Sequence, residues 1–173
     1  MHDPRVMLAL TSARWTELSQ AYGDATDVPR LLEALAELDD EDARAEVWFA
    51  LWRLLHRPDE AYSASYAAVP HLLRIAAAFA VAERAQAFHL VSRIEIARRS
   101  AGSASMPEDL VTAYAAAVEE LPRQVADAAK EPWADDVARI CAAALLVGKR
   151  QPEVARTLLD AGAGPAERPR GPV

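Results

Sequence analysis

Four histidines, His2, His56, His71 and His89, are the side chains best suited to metal or proton chemistry near neutral pH. None sits in an HExxH pattern, and no pair has the four-residue spacing that grips zinc from one helix face. Asp39-Asp40 and Asp135-Asp136 pair carboxylates in sequence. On a helix, however, adjacent side chains point about 100° apart, so each pair reads as a helix start and not as an acid/base couple. There is no phosphate-cradling glycine loop and no Gly-x-Ser-x-Gly elbow. These residues therefore predict no catalytic set, no metal and no cofactor. An enzyme or ligand-binding reading needs distant residues brought together, and an inter-helix pocket near His56, Tyr62, Tyr66 and His71 is where it would form. Trp15, Trp48, Trp52 and Trp133 fall at helical spacing among leucines and read as core.

The 173 residues suit a single domain with a core of its own. A formal charge of −7 and a pI near 5.1 argue against nucleic acid as partner and favour a basic protein. The single Cys141 excludes an internal disulfide and reads as a small buried residue. The first residues lack the basic start and apolar run of a secretory signal, and no stretch has the ~18 apolar residues of a membrane span. The expected compartment is the cytosol. Arginine and alanine dominate while lysine occurs only as Lys130 and Lys149, a composition that suits a GC-rich bacterial genome.

The elements that must position these residues read as helices throughout, about eight in all, with no period-2 alternation and hence no sheet. Ser12 is placed to cap a helix to Tyr22, ended by Gly23. Asp27 is placed to cap the next, with Pro29 in its first turn. The run Asp39 to Asp42 opens a helix to His56 whose wide apolar surface predicts the centre of the core. After a loop at 57–64, a helix capped by Ser65 would hold Pro70 a turn inside it, whereas a start near Ala68, which the parallel with the first copy favours, places Pro70 in the first turn. Leu72, Leu73 and Ala76 then face inwards, and His71 and Arg74 outwards. Helices follow over Val81 to Arg99, from Pro107, over Asp135 to Val147 and over Glu153 to Ala161. Glu95 is spaced to pair with Arg98 and Arg99. Residues 1–162 form the expected domain, and the Gly/Pro-rich 163–173 an expected disordered tail.

Val-Pro-x-Leu-Leu occurs twice, with Pro29 and Pro70 lying 41 residues apart, a period typical of stacked helical hairpins. Pro122 in LPRQVADAA reads as a faint third copy or a kink. Together with Trp15, Leu18, Ala21-Tyr22-Gly23, Leu51-Trp52, His56, Tyr62 and Ala67-Ala68, these residues resemble bacterial proteins with HEAT-like (armadillo/HEAT-type) repeats. The resemblance runs from Trp15 to about Ala77. It implies an all-α chain of antiparallel hairpins stacked as a short α-solenoid, with second helices lining a face that grips another macromolecule. It brings no catalytic residues.

The expected function is thus a non-enzymatic protein-binding module, monomeric or weakly dimeric. Its contact residues would be Arg30, Glu33, Glu37, His71 and Arg74, the acidic run Asp39, Asp40, Glu41 and Asp42, and the loop tyrosines Tyr62 and Tyr66. Size and charge suggest the narrower expectation of an immunity-type inhibitor that covers a basic toxin. A subunit that self-associates through its alanine-rich C-terminal helices is a third reading.

Overall fold

The computed structural model describes residues 7–162; the expected tail at 163–173 lies outside them. The chain is mostly helical. Its α-helices among the described residues are α1 (Val28–Glu37), α2 (Glu41–Leu55), α3 (Ser63–Ala76), α4 (Val81–Ala97), α5 (Val111–Ala128), α6 (Asp135–Gly148) and α7 (Pro152–Asp160). They pack in two layers. In one, α1, α3 and α5 lie side by side; in the other α4 packs against α6 and α7, while α2 touches α4 more sparsely. The pairs α1–α2, α3–α4 and α5–α6 join the layers as hairpins.

Several expectations are corrected. The first helix is only a 3-10 segment, Ala13–Glu17, although Ser12 does cap it by accepting from the Arg14 amide. The chain then turns into a hairpin of β1 (Ser19–Gln20) and β2 (Gly23–Asp24), so Gly23, at φ 150°, serves a tight turn and not a helix C-cap. A second hairpin, β3 (His56–Arg57) and β4 (Glu60–Ala61), replaces the expected loop. Asp59 takes φ 59° at its turn, a left-handed value that aspartate tolerates, next to Pro58. Strands of two residues carry no alternation to read, which is why the sequence did not reveal them. Asp27 precedes α1 without a side-chain cap bond, whereas Pro29 does occupy the first turn.

Pro70 lies in the middle of α3, not in its first turn, because the helix starts at Ser63. There the Ser65 hydroxyl accepts from the Tyr62 amide at 2.9 Å and donates to the Leu55 carbonyl at 2.6 Å, fixing the corner between α2 and α3. The centre of the core is α3 with α4, whose side chains are mostly buried, and not α2. As an end element with neighbours on one side, α2 buries Val47, Trp48, Leu51 and Leu55 and leaves Phe49 in solvent. Trp15 and Trp48 are core, and Trp52 and Trp133 pack partly buried against it. Cys141 is buried, and burial pushes its thiol up to about 11.

Candidate functional site

The α1–α2 hairpin gathers most of the expected contact residues. Arg30, Glu33 and Glu37 are exposed on α1, and Asp39 to Asp42 form the junction. Asp40 caps α2 by accepting from the Ala43 amide at 2.7 Å, and Glu41 and Asp42 fill the first turn, where the helix dipole favours anions. The two copies of Val-Pro-x-Leu-Leu fall on α1 and α3, the first helices of consecutive hairpins, so the outward residues of these copies are not on second helices as expected. Arg74 is exposed on α3.

Two expected contact residues have no surface to offer. His71 is only 3% exposed: its Nε2 lies 2.8 Å from the Leu8 carbonyl and its ring packs on Trp15, which pins the segment ahead of the 3-10 turn. Burial lowers its pKa, and its Nδ1 is buried without a partner. Tyr66 is fully buried, donates to the Ala104 carbonyl at 2.7 Å and meets Tyr114 edge to face. The start at Ser63 draws Tyr66 into α3, and coverage of that helix on nearly all sides buries both. Tyr62 is half-buried, with its hydroxyl donating to Glu60 and its pKa pushed up to about 12 by burial and that carboxylate.

None of the clefts described is lined by both His56 and His71. His56 and His89 both pack edge-on against Trp52, with centroids 5.8 and 4.9 Å away, and burial drops both imidazoles to about 4, so both are neutral at pH 7. His56 borders a cleft of about 410 Å³ crossed by two ion pairs, Arg93–Asp160 and Arg156–Asp59, each at 2.6 Å. These pairs tie α7 to α4 and to the second hairpin. Among the described residues no group of three histidines, cysteines or carboxylates is placed to hold a metal ion, and no helix is long and apolar enough to cross a membrane.

The largest described cleft, about 650 Å³, lies between α1 and α2. Leu31, Ala34, Ala50 and Leu54 are apolar parts of its wall, and Tyr22 and Phe49, 58% and 61% exposed, stand at its mouth. Tyr22 is delivered there by the first hairpin, whose turn is anchored to α2 by the Ala21 amide donating to the Leu54 carbonyl at 2.9 Å. Arg53 stacks on Phe49 and Tyr22, 5.7 Å from each ring centre, and Arg57 covers Tyr22 at 4.7 Å. The two guanidiniums favour phenolate and lower the Tyr22 pKa. On its other side Phe49 borders a second cleft, about 360 Å³, between α2 and α4. That gap is held by Arg44, which clamps Glu83 through two bonds of 2.7 and 2.8 Å while Trp48 donates to the same carboxylate.

Sequence reading missed Tyr22, Phe49, Arg53 and Arg57 as a group. The available signal was that Phe49 stands off the Trp48–Leu51–Leu55 stripe, sharing its helix face with Asp42, Glu46 and Arg53.

No family model matches this chain, and no curated protein or solved structure matches it either.

Proposed function

We propose that this chain is a non-enzymatic, HEAT-like helical-repeat binding module whose α1–α2 hairpin engages a basic protein. The repeat reading draws on the two-layer packing and on the recurrence of Val-Pro-x-Leu-Leu in the first helices of two successive hairpins. The observation that carries the partner's chemistry is where the charge sits. Residues 27–55 hold eight carboxylates against three arginines, a net charge of −5 out of the chain's −7. Within the described residues none of those eight carboxylates makes an ion pair.

Unpaired like charge on one hairpin raises its own electrostatic energy, and a basic surface relieves it. Phe49 supplies the apolar anchor that such an interface needs at its centre. An immunity-type inhibitor that covers the active face of a basic toxin in a bacterial cytosol is the specific form of this reading.

The test is affinity capture from a lysate of the source organism with the native chain and with a chain carrying Glu37, Asp39, Glu41, Asp42 and Glu46 as their amides. The reading expects one basic protein retained stoichiometrically at low salt, released as salt rises and absent from the amide bait. Identical retention by both baits would overturn it.

A further inference from the structure

Helix α2 is polarised along its length, about 22 Å at 1.5 Å per residue. Asp42 and Glu46 occupy its outer face in the first half, Phe49 stands in the middle, and Arg53 follows one turn later on that same face. Arg57 continues the ladder, its guanidinium 4.7 Å from the centre of the Tyr22 ring. Nine of the described arginines pair with a carboxylate; of the five that do not, Arg30, Arg53 and Arg57 gather around the α1–α2 cleft, while Arg74 and Arg139 lie elsewhere.

A guanidinium held against a ring is fixed in orientation; the Tyr22 hydroxyl lies beside both and engages part of their donors, and the N–H groups that remain, of five on each guanidinium, are the ones that receive a carboxylate. Beneath these donors the cleft wall is apolar at Leu31, Ala34, Ala50 and Leu54. Asp27 and Glu46 also line the cleft, so a polyanion such as nucleic acid is repelled, whereas one carboxylate beside an apolar group is accommodated.

We propose that the α1–α2 cleft seats a segment of the partner protein carrying a carboxylate next to an apolar side chain. The apolar group enters between α1 and α2, and the carboxylate bridges Arg53 and Arg57. This rests on the binding-module reading and adds to it: a partner that is basic against Asp39 to Glu46 is acidic at the other end of α2. The dipolar match fixes the orientation of docking as well as its strength.

The probe is an N-acetylated hexapeptide alternating leucine and aspartate, compared with its leucine–asparagine counterpart. Affinity is followed by fluorescence anisotropy of the labelled peptides, and the site by NMR of the Arg53 and Arg57 Nε–H groups in the full chain. The aspartate peptide is expected to bind about five-fold tighter or better and to shift both arginine signals. The variant carrying Arg53→Gln and Arg57→Gln is expected to lose that preference while its thermal unfolding stays unchanged. Equal affinity for the two peptides, a preference kept by the double variant, or the same shifts produced by inorganic phosphate alone would overturn the proposal. A parallel titration with octa-arginine probes the acidic half. If octa-arginine fails to bind while the aspartate preference persists, the basic-partner reading falls and the cleft assignment stands.

Discussion

Glu95 is the most demanding single residue in the fold. At 5% exposure its carboxylate accepts two bonds of 2.7 Å from Arg98 and one of 2.6 Å from the Tyr114 hydroxyl, with Arg99 at 3.8 Å. Burial and the neighbouring carboxylate hold the Tyr114 phenol well above its ordinary pKa. Removing the charge leaves the Tyr114 hydroxyl and Arg98 competing for a neutral acceptor, so Glu95→Gln is expected to cost about 2–3 kcal/mol in urea unfolding. Tyr114→Phe, which leaves the ion pair in place, should cost about 1 kcal/mol. Equal stabilities for the native chain and Glu95→Gln would show the network to be ornamental.

His56 and His89 give the fold a pH response. Both titrate near 4 when folded and near 6.5 when unfolded, so between those values the unfolded chain binds the extra protons. Stability is therefore complete above about pH 6.5, falls as the pH drops through the window, and makes no further change from these groups below about 4. Both rings keep some solvent contact, which limits the loss to the order of 2 kcal/mol for the pair. Urea midpoints between about pH 6.5 and pH 5, above the range of ordinary carboxylates, isolate the histidines, and His71, lowered by burial as well, adds to the slope with the same sign. His89→Gln should flatten the slope there, and a native chain with no slope would refute the assignment.

At the scale of the elements, α5 and α6 approach closely where Gly148 faces Pro122. A β-carbon added at Gly148 would stand 2.5 Å from the Pro122 Cδ and 2.8 Å from its Cγ, and the ring cannot swing aside. At the last residue of α6 the propensity gain of Gly148→Ala is below the ~1 kcal/mol of a helix interior, whereas forcing the two helices apart costs about 1–3 kcal/mol. A net loss of thermal stability is the expected outcome, relieved when Pro122→Ala is added. If Pro122→Ala gives no relief, the contact is not what limits the approach. Pro122 thus lies inside α5, and the structure gives it a packing partner on α6.

For the whole molecule, the unpaired charge of α1–α2 predicts how stability responds to salt. Glu37 lies in the last turn of α1, where the helix dipole disfavours an anion, and Glu46 stands four residues after Asp42 on α2. Glu37→Gln and Glu46→Gln should each stabilise the fold by a few tenths of a kcal/mol at about 10 mM salt and by nothing measurable at about 0.5 M. Differential scanning calorimetry at the two ionic strengths checks this. A destabilising result at low salt would mean that these carboxylates have partners, and would weaken the case for a basic surface as their relief.

How much could be read from the chain follows from the range of the forces involved. Helix class, the Pro29 start, the acidic opening of α2 and the Glu95–Arg98 pairing depend on neighbours within one or two turns, and the sequence by itself determined them. The acidic bias of 27–55 was likewise countable. The two short hairpins, the inward turn of His71 and Tyr66, the displacement of α2 to the edge and the stacking of Arg53 and Arg57 on Tyr22 were decided only by the tertiary structure. Each depends on which segment covers a given face. Leu8 and Trp15 reach His71 across more than fifty residues, and Leu54 receives the amide of Ala21 across more than thirty. Helical periodicity says that a side chain lies off the main stripe; only packing says whether another element or solvent meets it there.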